Sequence, residues 1–246
     1  VCIWAARGAA QDAFVAKIHF TQCRNNSLHV RLQTPSIVSR KARFIIPTNI
    51  PGTISELQTG KLFSNIKAFN KNNQPLAVVA YSTNEYEISV DGELAYLEYD
   101  VHDSWHYENR SLILPQIGTD FVENEHFLLN FHAVVGYIQG YEEARFKIEI
   151  TRPKSLNVIS SLNFISSGNI DRAEVSGYLT LIDNPALYTK EKEQTFSVGG
   201  TKFKIGCYSE LNSVRAENIA RVLKTAFEIV KKSLKFFLSK IFFRRR

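Results

Sequence analysis

The segment His102-Asp-Ser-Trp-His106 places two histidines four apart with an acid directly after the first. It lies one methylene from H-E-x-x-H, in which a helix projects both imidazoles onto one zinc ion and the Glu serves as base to the bound water. The flanking residues do not fit a helix. LAYLEYDV before it alternates with period two, and YENRSLILP after it is polar and then β-rich. On an extended strand, residues four apart lie roughly 13 Å from one another, too far for one ion. The segment therefore reads as a strand end, with Trp105 packed and the histidines half exposed. His126 and His132, six apart in HFLLNFHAVV, would share one face of a strand, with no ligand pattern around them. They read as structural, as do His19 and His29. GYIQGY, residues 136–141, lacks the third glycine and the following helix of a dinucleotide loop, and no G-x-S-x-G elbow or Walker loop occurs. The pair Glu142-Glu143 reads as a solvated turn. Asn25 and Asn109 head sequons of the glycosylation form. No catalytic, cofactor-binding or metal-ligating residue is assigned.

The elements that would carry these residues are mostly strands. From about Phe14 to Ile182, runs such as SLHVRL, ARFIIP, LFSNIKAF, LAYLEYDV, SLILP, HFLLNFHAVV, RFKIEI and GYLTLI are rich in Val, Ile, Phe and Tyr and often alternate. Turn residues punctuate them: Pro51-Gly52, Asn70 to Asn73, Asp91-Gly92, Ser167-Gly168-Asn169 and Asn184-Pro185. ISVDGELAYLEY reads as a hairpin on its Asp-Gly turn. The fold class expected is mostly β, a many-stranded antiparallel sandwich or saddle over residues 14–185. Residues 186–246 follow as a second unit. It opens with a hairpin around Gly199-Gly200 and ends in one amphipathic helix from about Ser213 to Phe243. That helix is read from the stripe Ile219, Val222, Leu223, Ala226, Phe227, Val230, Leu234, Phe237, Leu238 and Ile241. Asn212 or Ser213 is the expected cap.

A chain of 246 residues that is 44% hydrophobic can bury a sizeable core. The net charge of +6 is local. Residues 209–246 hold 10 Lys or Arg against 3 Glu, which leaves 20 basic and 21 acidic groups elsewhere. The main body therefore lacks the basic face of a nucleic-acid binder. Cys2, Cys23 and Cys207 are too dispersed for a metal ribbon and allow one disulfide at most. VCIWAARGAAQ reads as the tail of a secretory signal with a cut near Ala10, so residues 1–13 are set apart and an extracytoplasmic location is expected. With no methionine and a start at Val1, the sequence reads as a processed or partial chain.

Six motifs occur in order: FIIPTNIPGT (44–53), YEISVDGELAYLEYDVHDSW (86–105), PQIGTDFVENEHFLLNF (115–131), GYIQGY, ITRP (150–153) and LIDNP (181–185). As an ordered set they resemble the N-terminal region of the glycyl aminopeptidase family of zinc metallopeptidases. The resemblance implies a β-rich N-terminal domain followed by a thermolysin-like catalytic domain. It assigns the His102–His106 segment to the β domain and residues 186–246 to the opening of the catalytic one. The family's H-E-x-x-H is expected further along, so zinc is expected only in a full-length relative, and this chain by itself is expected to be inactive. The implied partner is the catalytic domain, or a second copy through the C-terminal helix, and not nucleic acid. The alternative is a self-sufficient β-sandwich binding module whose basic helix, Lys231 to Arg246, lies on a membrane surface.

Overall fold

The computed structural model describes residues 12–52, 57–107 and 118–243, with side chains as far as Ser233. Most of the signal-like stretch, Asn109 and the expected strand at SLILP lie outside the described residues. The first strand begins at Ala13, whose side chain is already buried.

The described strands are β1 (Ala13–His19), β2 (Ser27–Ile37), β3 (Lys41–Ile45), β4 (Phe63–Asn70), β5 (Pro75–Leu76) and β6 (Val78–Ala80). There follow β7 (Glu85–Ser89), β8 (Leu94–His102), β9 (Asp120–Val122), β10 (His126–Leu129), β11 (Tyr137–Ile138) and β12 (Arg145–Thr151). The chain continues through β13 (Asn157–Ser160), β14 (Ile165–Ser167), β15 (Ile170–Ser176), α1 (Tyr178–Ile182), β16 (Ala186–Thr189), β17 (Gln194–Val198), β18 (Thr201–Ile205) and α2 (Ala216–Phe243).

Eight strands form one sheet in the order β14-β15-β12-β1-β2-β8-β4-β5. Two four-stranded sheets, β13-β16-β10-β9 and β11-β3-β7-β6, pack with it around one core. Strands β1 and β12 run parallel, and the other pairs are antiparallel. Alternation sets the inward faces: Phe14, Ala16 and Ile18 of β1 meet Phe146, Ile148 and Ile150 of β12, with Phe14 and Phe146 stacked at 4.6 Å. On β8, Leu97, Tyr99 and Val101 point inward, while Glu98 and Asp100 pair outward with Arg31 and His29 across the strand.

Three expected elements differ. Asp91-Gly92 turns the chain, with Gly92 at φ +82°, yet β7 and β8 do not pair with each other. Strand β7 joins β3 and β6, and β8 joins β2 and β4, so the turn is a corner between sheets. GYLTLI is helical. Gly177 at φ +80° leaves the extended region, and the buried residues Tyr178, Leu181 and Ile182 fall at helical spacing. HFLLNFHAVV stops being a strand at Leu129, where pairing with β16 ends, and Phe131–Ala133 form a 3₁₀ turn. His126 and His132 therefore do not share one strand face.

The hairpin β17–β18 and α2 form a satellite beside the main core, tied by Phe203 stacked on Phe227 at 4.6 Å and on Phe196 at 5.0 Å. The helix begins at Ala216, three residues later than expected, and Asn212 and Ser213 lie before it. On α2, Val222, Ile229 and Val230 are exposed. No helix among the described residues is long and apolar enough to cross a membrane.

Candidate functional site

Strand β8 ends at His102, which is exposed, and the chain then turns inward. Asp103 is buried, and its carboxylate organises the turn. Oδ1 accepts from the His106 backbone N–H at 2.7 Å, and Oδ2 bonds the His106 Nδ1 at 2.7 Å. Oδ2 also accepts from the Phe121 N–H at 3.1 Å. That last bond docks the turn onto β9, which lies at the edge of its sheet among the described strands. Ser104 reinforces the joint: its N–H and its hydroxyl both donate to the Thr119 carbonyl, and its Oγ accepts from the Thr119 N–H.

Strands β9 and β10 supply the other half. Their register sets Phe127 opposite Phe121, and both of these rings are fully buried on the core face. Asp120 and His126 fall on the opposite face as diagonal neighbours, close enough for side chains to meet. His126 Nε2 lies 2.8 Å from Asp120 Oδ2, and the ring is 5% exposed. Its Nδ1 is buried with no hydrogen-bond partner. One ligand atom from each of Asp103, His106 and Asp120 lies within 4.8 Å of the others. The structure thus brings together part of the His102–His106 segment, but by a route the two-histidine spacing does not describe. His102 is no member. Asp103 and His106 are three apart on a turn, and Asp120 arrives from another element. Trp105, expected to pack, lies at the surface, 37% exposed.

The site also meets the C-terminal satellite. Tyr208, just past β18, stacks on the His126 ring with centroids 3.9 Å apart, and its hydroxyl donates to Glu125 at 3.3 Å. Gly206 lies against Ile159 of β13 so closely that a Cβ there would come within 2.4 Å of Ile159 Cγ2. Cys23 and Cys207 are free thiols.

GYIQGY, set aside as a nucleotide loop, has a packing explanation. A Cβ on Gly136 would sit 2.5 Å from the Phe44 ring and 2.6 Å from the Ile45 carbonyl, and Gly140 turns the chain at φ +86°.

Residues 16–190 match the Peptidase M61 N-terminal domain family. The chain belongs to that family, and it is the N-terminal domain of a peptidase-family protein. Among solved structures, the fold resembles an aminopeptidase N family protein from Idiomarina loihiensis, with a TM-score of 0.66 and 16% identity over 78% of this chain and 32% of that one. An M1 zinc metallopeptidase from Deinococcus radiodurans is a weaker likeness, with a TM-score of 0.46 and 11% identity over 87% of this chain and 51% of that one. The chain thus spans about a third of the first protein and half of the second. No curated protein matches the sequence.

Proposed function

We propose that the chain is a non-catalytic β domain that braces the catalytic domain of a metalloaminopeptidase. Its contribution is shape and packing. The observation that carries this reading is the match of residues 16–190 to a peptidase N-terminal domain family. The ordered motifs from FIIPTNIPGT to LIDNP support the finer reading, a glycyl aminopeptidase with a thermolysin-like zinc domain. The satellite supports the brace. Val222, Ile229 and Val230 on α2 are exposed, and a helix that presents aliphatic residues outward is built to be covered. The catalytic domain is the proposed cover; for the chain by itself, it is a second copy. An extracytoplasmic setting is part of the proposal and rests on the small-residue run before Gln11.

The test takes the purified chain alone. Aminoacyl-anilide substrates with added zinc are expected to show no turnover above buffer, and light scattering after gel filtration is expected to give a mass above 28.0 kDa. Turnover that co-purifies with the chain would overturn the non-catalytic reading. A monodisperse monomer would overturn the self-association expected of an uncovered helix.

A further inference from the structure

We propose that Asp103, His106 and Asp120 form a binding site for a divalent transition-metal ion, zinc by preference. The donor set is two carboxylates and one imidazole, with one ligand atom of each within 4.8 Å of the others. Bonds of about 2.0–2.2 Å place two ligand atoms at most about 4.4 Å apart, so side-chain adjustment of a few tenths of an ångström closes the cluster on an ion. The mixture of oxygen and nitrogen donors fits zinc better than calcium or magnesium, which take oxygen. Three protein ligands leave a fourth tetrahedral position open.

Charge gives the second argument. Two carboxylates this close repel unless positive charge lies between them. Among the described residues, the ion-pair partners of Asp103 and Asp120 are the imidazoles of His106 and His126, not lysine or arginine. Glu125, which accepts from Tyr208 beside the site, adds to the field, while Glu123 is compensated by Arg24. A divalent ion answers that field in a way two imidazoles do not.

Orientation gives the third. Asp103 is fixed by two backbone N–H groups, and among the described residues its Oδ1 accepts one bond, which leaves lone-pair capacity. His126, buried behind Asp120, holds that carboxylate from the rear as outer partners of metal ligands do. The His106 side chain is 48% exposed and provides the entrance. A bound ion would tie the turn after β8 to edge strand β9, and so stiffen the bed on which Tyr208 rests.

The experiment uses the full, tag-free chain, stripped with a chelator and incubated with zinc. It is then gel-filtered and measured by elemental mass spectrometry, with thermal unfolding run in parallel. The expected result is about one retained zinc per chain and a melting temperature that rises with zinc. His106→Ala and Asp120→Asn should each weaken retention at least tenfold, while His102→Ala retains the ion. Because His106 is half exposed, its alanine variant should melt in chelator like the parent and differ only in losing the zinc-dependent rise. Cobalt in place of zinc should give a visible absorption band that His106→Ala abolishes. The proposal is overturned if the parent retains no zinc, or if His106→Ala and Asp120→Asn retain it as the parent does.

Discussion

His126 and Tyr208 stack ring on ring, with centroids 3.9 Å apart and planes 27° apart, across 82 positions of sequence. The contact joins edge sheet β13-β16-β10-β9 to the hairpin–helix satellite. His126 cannot yield, because it is buried and its Nε2 is held by Asp120. An aromatic pair of this kind contributes about 1 kcal/mol beyond area burial. Tyr208→Ala should therefore loosen the satellite without melting the sandwich. Hydrogen exchange should rise across β17, β18 and the start of α2, and stay unchanged in β1 and β2. Tyr208→Phe keeps the ring and loses only an exposed hydrogen bond of 3.3 Å, so it should behave as the parent does. Equal loosening in both variants would assign the joint to the hydroxyl.

Gly136 and Gly140 of GYIQGY should respond differently to alanine. At Gly136 the new methyl meets the Phe44 ring and the Ile45 carbonyl, and backbone cannot step aside cheaply. Overpacking of this order costs about 1–3 kcal/mol. Gly140 has open space around it and only its positive φ to defend, worth about 1 kcal/mol. Denaturant midpoints should therefore fall further for Gly136→Ala than for Gly140→Ala. The reverse order would mean that Phe44 swings away freely.

A buried ion pair pins the outer strands. Arg152, just past β12, donates from Nε to Asp171 of β15 at 2.6 Å, with the Asp171 side chain fully buried. Removing one partner leaves a buried charge, at about 3–5 kcal/mol. Arg152→Met should accordingly cost several times what Arg145→Met costs, since the Arg145 pairs are exposed. Arg152→Met with Asp171→Leu should recover much of the loss. Chemical denaturation of the four proteins checks this, and a double variant no better than the single would place the stabilisation in the pair itself.

Much of this architecture was legible because local rules were obeyed where it matters. Strand β12 alternates cleanly, β2 alternates from Ser27 to Thr34 and β8 from Leu97 to Val101, and the expected turns at Gly52, Gly92, Gly168, Gly199 and Gly200 all adopt positive φ. The failures share a physical cause, which is that the decisive partner lies far away in sequence. Asp91-Gly92 specifies a reversal but not which strands its arms will join. After Leu129 the run Phe131 to Val135 is as apolar as a strand, yet no strand among the described residues pairs with it. Its carbonyls at Val134 and Val135 are met instead by the hydroxyls of Tyr99 and Tyr178. The cluster at Asp103 was hidden in the same way. Only Asp103 and His106 are local, and Asp120 and His126 reach them through the β9–β10 register. The D-x-x-H spacing within His102–His106 was the one available signal, overshadowed by the more familiar spacing of the two histidines.

Cys23 offers a pH readout of the interior. The thiol is buried within the β1–β2 connection, and burial, with Glu123 and Asp103 nearby, pushes its pKa up from 9.0 to about 11. The folded value lies above the unfolded one, so the thiol's contribution is fully present below pH 9. It declines as pH rises and is lost through the folded value near 11. The shift corresponds to about 3 kcal/mol at most. Unfolding free energy measured between pH 8.5 and 11 should therefore fall more steeply for the parent than for Cys23→Ala, whose interior has no thiol to ionise. A thiol reagent at pH 8 should leave Cys23 unmodified in the native chain and react with it in denaturant. Parallel pH curves for parent and variant, with rapid native labelling of Cys23, would show that the packing around Cys23 opens far more readily than its burial implies.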